Sequence, residues 1–281
     1  MKICKLGFLL VLPLVLHLAC AKGSGSDIGP VTPGRVARFL RGQVVDGEGK
    51  PVVSAAVGPV GGGAPAVTGK SGRFILPHPG PGSRLLQVDG RYASADGTDR
   101  FGRLRFPFTL HAGTVEMARR LVLPDLAAGA AAAVTPGVQG AQVLLDTGAV
   151  SLRISAGTEI TGEGGAGSFT LSLARLGPAD LPVPFSPYGG LPCTTRAVVV
   201  DPPLAAFAPA ARLVLPNTLG LGPAGEADLY RLDPESGAWV FLGRGSVAGG
   251  DIQADLVPGG GLYLFAVERA QGEGTLVRGT V

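Results

Sequence analysis

The chain has 281 residues, of which only 16% are charged, and its formal net charge at pH 7 is +3. The basic residues are scattered and form no stripe interleaved with aromatic residues, which argues against nucleic acid binding. Glycine (46 residues) and proline (24 residues) are abundant, but a hydrophobic content of 46% is too high for a disordered chain. These properties together predict a folded protein with many short strands joined by Gly/Pro turns.

The first twenty residues have the order of a secretory signal. Lys2 and Lys5 precede an apolar run over residues 6–16, and Leu18-Ala19-Cys20 follows it. The run has about half of the ~20 apolar residues that a transmembrane helix needs. We therefore expect a processing segment rather than a permanent membrane span.

The cysteine that ends this run resembles the lipobox of bacterial lipoproteins, although His17 stands where that pattern prefers leucine. The resemblance implies that residues 1–19 are removed and that Cys20 is acylated, which would anchor the protein to a membrane. The outer membrane or the cell surface is favoured. Residues 20–37 are then the lipidated cysteine and a flexible linker. Ordinary cleavage beside a neighbouring alanine, which would release a secreted protein, is the alternative.

The cysteine count bears on how the fold is held together. Cys193 is the one cysteine left for the folded part if Cys4 leaves with the signal and Cys20 is acylated. A disulfide framework is then excluded, so packing must hold the fold together. If Cys20 is not acylated, a Cys20–Cys193 bridge becomes available. A lone cysteine is more often a small buried residue than a reactive thiol.

From Phe39 onward, short apolar segments alternate with hairpin-type turns such as Asp46-Gly47. This region contains the motifs Gly42-Gln-Val-Val-Asp-Gly-Glu-Gly-Lys-Pro-Val, Thr68-Gly-Lys-Ser-Gly-Arg-Phe-Ile-Leu and Leu86-Gln-Val-Asp-Gly. They resemble the carboxypeptidase regulatory-like domain. The resemblance implies a seven-stranded, transthyretin-like β-sandwich over residues 38–124. Its motifs consist of turn and core residues: Gly42 and Gly72 would serve hairpins, while Phe74 and Leu76 would point inward. They therefore specify fold rather than function.

Residues 125–149 are the predicted connector, in which the Ala-rich stretch 126–134 suits a helical turn or a loose connection. Gly129 and Pro136 make a long helix improbable. The predicted second β-sandwich covers residues 150–281, where alternating apolar segments return. We thus expect an all-β protein with two tandem β-sandwich domains behind an N-terminal signal and lipoprotein segment.

The second half carries a further set of motifs: Leu152-Arg-Ile-Ser-Ala-Gly-Thr, Arg212-Leu-Val-Leu-Pro-Asn-Thr-Leu-Gly-Leu and Leu229-Tyr-Arg-Leu-Asp-Pro-Glu-Ser-Gly-Ala-Trp. These resemble ZU5-like β modules. Some members of that family cleave themselves at a His-Phe-Ser sequence. Here only Gly167-Ser168-Phe169 approximates it, and no histidine follows His111. We therefore do not expect self-cleavage.

Few residues suit catalysis or metal binding. After removal of the signal only His78 and His111 remain, and neither accompanies a Gly-x-Ser-x-Gly elbow. A zinc peptidase needs clustered ligands, which two isolated histidines and one cysteine do not supply. Asp96-Gly97-Thr98-Asp99 is better explained as a turn than as a calcium loop. We expect no metal and no cofactor.

A glycoside hydrolase needs two carboxylates that the fold brings together, and spacing alone does not exclude such a pair. The candidates are Asp201, Glu226, Asp228, Asp233 and Glu235. All five stand in contexts that read as turns, and Asp233 is expected to hydrogen-bond its own backbone. We therefore expect no catalytic residue.

One segment combines aromatic rings with arginines in a way that suits ligand binding. The candidate ligand-binding residues are Tyr92, Arg100, Phe101, Arg103 and Arg105. Such a mix stacks on sugar rings or holds a partner protein. The alternation that follows equally suits a sandwich core, and that interpretation is favoured. Trp239, which alternates with Phe241, is also expected in the core.

The sequence as a whole favours a non-catalytic cell-envelope lipoprotein that serves as a structural or binding module. Its expected partners are the membrane, through the N-terminal lipid, and polysaccharide or another envelope protein. The alternatives are an unrecognised secreted hydrolase of glycan or peptide, and a pure spacer. A deep cleft with converging carboxylates would favour the enzyme. An exposed aromatic strip would favour the binding module over the spacer.

Overall fold

A computed structural model of the chain describes residues 38–77, 80–91, 93, 101–126, 129–162, 167–187 and 193–268. These residues form twenty β-strands and one 3-10 turn, Pro178–Asp180. The predicted all-β fold is therefore confirmed. None of the helical segments in these ranges is long and apolar enough to cross a membrane. The signal segment, Cys20 and the linker lie outside the described residues.

The first half of the described chain is a two-layer sandwich. Its strands are β1 (Phe39–Val45), β2 (Ala56–Pro59), β3 (Ala66–Val67), β4 (Arg73–Pro77), β5 (Gly82–Asp89), β6 (Arg103–Leu110), β7 (Val115–Glu116) and β8 (Leu121–Val122). In one sheet, β1 pairs antiparallel with β4 and parallel with β7 and β8. The other sheet has the order β3-β2-β5-β6. Both sheets send alternate side chains into one hydrophobic cluster, so they face each other.

Alternation along β4 fixes which side chains enter this core. Phe74 and Leu76 are buried while their strand neighbours are exposed, as the sequence predicts. Gly72 lies in the turn before β4 with a positive φ of 70°. Gly42, by contrast, does not serve a hairpin. It lies within β1, where a Cβ atom would stand 2.8 Å from the ring of Phe74, so glycine is needed there for close packing.

The second half contributes twelve strands to one large sheet. They are β9 (Ala130–Val134), β10 (Gly137–Val138), β11 (Val143–Asp146), β12 (Ser151–Ile154), β13 (Glu159–Thr161), β14 (Phe169–Leu176), β15 (Cys193–Asp201), β16 (Ala206–Pro216), β17 (Glu226–Leu232), β18 (Trp239–Ala248), β19 (Asp251–Gly259) and β20 (Gly261–Glu268). The main path runs β10-β13-β16-β19-β18-β17-β20-β15-β14-β9, and β11 and β12 join it through β16. Side chains from both ends of the path share a second core cluster, so the sheet folds over on itself.

The predicted connector differs from what the structure shows. The Ala-rich stretch forms β9, which pairs antiparallel with β14, and β10 and β11 follow it within residues 125–149. Alanine has low β-propensity, but pairing and burial against a partner strand override that preference. The stretch is thus neither a helical turn nor a loose connection. The domain limits at 38–124 and 150–281 stay predictions.

Two central strands, β15 and β20, are buried on both faces. On β15, Val198 and Val200 enter the second core cluster, whereas Val199 enters the first. On β20, Phe265 enters the second cluster and Leu264 the first. The first cluster, here called the shared core, therefore contains side chains from both halves of the described chain. Its burial joins the two halves.

We predict that Leu264→Ala lowers the free energy of unfolding by about 2–5 kcal/mol, because it leaves a cavity in the shared core. Denaturant unfolding followed by circular dichroism measures this change. The control is Leu144→Ala, since Leu144 is 52% exposed and its truncation should cost less than about 0.5 kcal/mol. Equal effects of the two substitutions would contradict the shared core.

Candidate functional site

Four aromatic side chains form a continuous surface cluster, here called the aromatic strip: Phe185, Tyr230, Trp239 and Phe241. The ring of Phe185 lies edge-on to Tyr230 at 5.0 Å between centroids and to Trp239 at 5.1 Å. Tyr230 and Phe241 follow at 5.4 Å. Phe241 is 52% exposed, and it is the one aromatic residue among the strongly exposed large apolar side chains of the described chain. The strip thus runs from partly buried rings out to solvent.

Strand pairing explains why these rings meet. Tyr230 on β17 stands opposite Phe241 on β18, and Leu232 stands opposite Trp239. Side chains two residues apart share one face of a strand. The side chains of these two pairs, Tyr230 with Phe241 and Leu232 with Trp239, therefore lie on the same face of the sheet. Leu232 belongs to the shared core, and Trp239 packs against it. The strip is therefore the part of this sheet face that continues past the shared core.

A β-bulge brings a charged residue to the same face. The register shifts between Leu229 and Tyr230, so Leu242 has no direct partner and Leu229 stands opposite Gly243. An extra residue in one strand reverses the alternation beyond it. Arg244 consequently lies on the same face as Phe241, where regular alternation would place it on the opposite one.

The turn before β18 holds Trp239 in position. Asp233 accepts hydrogen bonds from the backbone N–H groups of Glu235 at 3.3 Å and Ser236 at 3.0 Å. The sequence prediction that Asp233 serves its own turn is thereby confirmed. Gly237 has a positive φ of 71°, and a Cβ atom there would lie 2.8 Å from Pro107 Cδ on β6. Only glycine allows this close approach, which fixes the turn against the first half of the chain.

Phe185 reaches the strip on a proline-rich segment. Residues 181–187 have the sequence Leu-Pro-Val-Pro-Phe-Ser-Pro and form no regular strand. Each proline ring restricts its own φ and favours extended backbone before it, so alternate residues point the same way. Leu181 is buried in the shared core, and Val183 and Phe185 pack against it. The segment is therefore stiff and held by its apolar side.

Charged groups adjoin the open end of the strip. Arg244 donates hydrogen bonds to Asp228 Oδ1 at 3.1 Å and to Glu226 Oε2 at 3.0 Å. Burial raises the pKa of Tyr230, and the nearby Asp228 carboxylate adds to the rise, so the phenol keeps its proton. The open end of the strip therefore offers hydroxyl, carboxylate and guanidinium groups beside exposed ring surface.

Three of the five candidate ligand-binding residues of the sequence lie in the described part of the chain, and all three are buried or partly buried. Tyr92 and Arg100 lie outside the described residues. Phe101 is buried in the shared core, and Arg103 is almost fully buried beside Asp201. Arg105 is partly buried and donates a hydrogen bond to the Gln87 side chain at 2.7 Å. The role of the set stays a prediction, and the burial of Phe101 agrees with the favoured core interpretation.

Three carboxylates that the sequence places in turns lie in strands instead. Asp201 ends β15, where it is 2% exposed and accepts a hydrogen bond from the Arg103 backbone N–H at 2.9 Å. Glu226 and Asp228 lie on β17 and pair with Arg244. The difference arises because Asp201 stands at the very end of its strand and Glu226 and Asp228 stand at the start of theirs, next to turn residues. These carboxylates form ion pairs with arginines.

A separate cleft of about 580 Å³ carries several carboxylates, among them Asp46, Asp125 and Asp180. A hydrolase would need carboxylates that converge in such a cleft and are available for catalysis, and two of the acids here are unsuited to that role. Asp46 Oδ1 accepts hydrogen bonds from the backbone N–H groups of Glu48 at 2.9 Å and Lys50 at 2.8 Å, so it serves the turn. The hydrogen bond from Lys50 lowers the pKa of Glu48. A general acid needs a raised pKa, so Glu48 is unsuited to that role.

Of the remaining candidates, His111 and Cys193 lie in the described part of the chain. His111 is exposed just after β6, while His78 and the Asp96–Asp99 turn lie outside the described residues. Cys193 is a partly buried thiol at the start of β15 and is in no disulfide within the described part of the chain. Within the described ranges, no group of three or more His, Cys, Asp or Glu side chains is arranged to hold a metal ion.

No family model matches the chain, and a search of curated proteins finds no match. Two bacterial structures similar to it are a proposed carbohydrate-binding protein from Bacteroides uniformis and a DUF3823 family protein from Bacteroides ovatus. The first is 9% identical, covers 83% of this chain and 79% of its own, and has a TM-score of 0.24. The second is 11% identical, with 83% and 96% covered and a TM-score of 0.23. Scores of this size carry no argument about fold or function, and both family resemblances stay predictions.

We predict that Asp201→Ala lowers the free energy of unfolding by about 3–5 kcal/mol, because it removes the carboxylate that pairs with the buried Arg103 guanidinium. Burial already lowers the pKa of Arg103, and Asp201 opposes that effect. Replacing both residues, as Arg103→Met with Asp201→Ala, should recover part of the loss. A double-mutant cycle of unfolding free energies measures the coupling. Strictly additive losses would contradict it.

Proposed function

We propose that this protein is a non-catalytic binding module of the bacterial cell envelope, and that its aromatic strip binds polysaccharide. The observation that carries the proposal is the run of four touching rings that emerges from the shared core and ends at the half-exposed Phe241. Exposed rings on a rigid support are costly in water and typically mark a binding surface. A pure spacer would have no need for such a strip.

The chemistry of the strip fits a sugar. Pyranose rings present apolar C–H faces that stack on aromatic rings, and their hydroxyls need donors and acceptors beside the stack. Tyr230 supplies a protonated phenol, while Asp228, Glu226 and Arg244 supply charged groups at the open end. Phe185 and Trp239 are already packed against the shared core, so their side chains lose little conformational entropy when a ligand binds.

The hydrolase alternative has weaker support. The acids nearest the strip form ion pairs with Arg244, and in the carboxylate-lined cleft Asp46 is bound to its own turn. A glycosidase needs one carboxyl group that keeps its proton and a second that does not. Every carboxyl with a shifted pKa in the described chain, namely Glu48, Asp89 and Asp233, is shifted downward.

The proposal includes export and anchoring through an acylated Cys20, with residues 1–19 removed. Its support is the sequence alone: a basic start, a short apolar run and a cysteine that follows it. An anchored module with a sugar-binding surface would hold polysaccharide close to the membrane. Another envelope protein is the alternative partner for the same strip.

We predict that Phe241→Ala weakens binding to a neutral polysaccharide about tenfold, which equals ~1.4 kcal/mol, because it removes an exposed stacking surface. Affinity electrophoresis of the purified chain in gels containing dextran, mannan or starch measures the change. Tyr230→Ala should weaken binding at least as much.

The matched control for that experiment is Val240→Ala. Val240 is 43% exposed and adjoins Phe241, but it points to the other face of β18. Its truncation should leave the mobility unchanged. Absence of retardation of the unchanged chain in all three gels would contradict the proposal, and so would equal losses in Phe241→Ala and Val240→Ala.

We also predict that the mature N-terminus, isolated from membranes of the producing cell, is an acylated Cys20. Intact-mass analysis of the N-terminal peptide should show the mass of the lipid. A Cys20→Ala variant should lack that mass and leave the membrane fraction. An unmodified N-terminus in the unchanged protein would refute anchoring, while leaving sugar binding by the strip intact.

A further inference from the structure

A second surface, here called the arginine face, consists of the exposed residues Arg41, Arg73, Arg119 and Arg120 with Ile75 between them. They line a groove of about 510 Å³ on the outer side of the β4-β1-β7 sheet. The groove lies on the first half of the chain, and its lining shares no residue with the aromatic strip. The arginine face is therefore a separate surface.

Strand register creates this face. Arg41 on β1 stands opposite Ile75 on β4, and Gln43 stands opposite Arg73. Their strand neighbours Leu40 and Phe74 point the other way into the shared core. Arg119 and Arg120 follow β7 in the turn that leads to β8. Four guanidinium groups thus surround one groove.

The described lining of the groove carries a net positive charge. None of the four arginines makes an ion pair within the described part of the chain, and Glu116 is the one acidic residue of the groove lining. Four arginines elsewhere are paired: Arg91 with Asp89, Arg103 with Asp201, Arg212 with Asp255, and Arg244 with Glu226 and Asp228. Four arginines thus face one carboxylate, and an anionic ligand would relieve the repulsion among the guanidinium groups.

We propose that the arginine face binds a polysaccharide chain that carries carboxylate groups, such as a polyuronate. A guanidinium group matches a carboxylate through two parallel N–H···O hydrogen bonds. Exposed Ile75 and the neighbouring Met117 offer apolar contact to the sugar rings between the charges. This proposal rests on the proposed function for the class of ligand, polysaccharide. It uses none of the residues of the aromatic strip.

The shape of the surface favours a chain over a membrane. A groove encloses a single linear ligand along its length, whereas a flat bilayer surface meets only the rim. Stable interfacial binding also requires several apolar side chains that insert among the lipids. Ile75 is the one strongly exposed large apolar side chain of the groove.

The test is affinity electrophoresis of the purified chain in gels containing polygalacturonate, at low salt and at 0.5 M NaCl. We expect strong retardation at low salt and its loss at high salt, because screening shortens the reach of exposed charges. The Arg119→Glu, Arg120→Glu double variant should weaken binding at least tenfold. Both residues lie in an exposed turn, so the fold should be unaffected.

The matched control is the Arg84→Glu, Arg153→Glu double variant, which changes the net charge equally at two exposed strand positions outside the groove. It should keep at least half of the retardation. Equal losses in the two double variants, or no retardation of the unchanged chain, would overturn the proposal. Binding to phosphatidylglycerol vesicles without binding to polygalacturonate would replace the glycan by a membrane surface. Retardation in the dextran, mannan and starch gels without retardation by polygalacturonate would overturn this proposal alone, and the reverse result would overturn the strip alone.

Discussion

The structure depends on the burial of both faces of β15 and β20. Their side chains alternate between two hydrophobic cores, Val198 and Phe265 on one side and Val199 and Leu264 on the other. A strand with two apolar faces has no solvent side, so the first half of the chain must cover what the second half leaves open. The buried Arg103–Asp201 pair lies at the same junction, where the backbone N–H of Arg103 on β6 donates a hydrogen bond to Asp201 at the end of β15.

This constraint determines where a binding surface forms. The first half covers the sheet face at Leu232, Leu262 and Leu264 but leaves it open at Tyr230 and Phe241. The aromatic strip is therefore the uncovered margin of a buried face, held by the core behind it and by the close contact of the Gly237 turn with β6. The arginine face arises from the opposite situation. There no element of the described chain covers the outer side of the β1 sheet, and alternation places arginines outward and leucine and phenylalanine inward.

The sequence predicted well what depends on local pattern. Phe74 and Leu76 were correctly predicted to point inward, and Gly72 and Asp233 were correctly assigned to turns. It missed β9, because a run of alanines has no β signal until β14 pairs with it, and β19, whose polar and apolar residues are mixed. The aromatic strip was also missed. Phe185 lies 45 residues from Tyr230 along the chain, and the bulge that brings Arg244 beside Phe241 leaves no mark in the pattern. Phe101 and Arg103 resemble a surface site in the sequence, but Phe101 enters the shared core and Arg103 pairs with Asp201, which is distant along the chain.

The central claim is that polysaccharide binds on the aromatic strip, and Trp239 allows a direct test because it is the only tryptophan of the chain. Its ring touches Phe185 within the strip, so its emission reports on that surface alone. Titration of the purified chain with a neutral oligosaccharide should shift the tryptophan emission along a saturable curve, with the midpoint that calorimetry gives for the same sugar. Saturable binding in calorimetry with unchanged tryptophan emission would contradict the account, because the sugar would then bind elsewhere on the molecule.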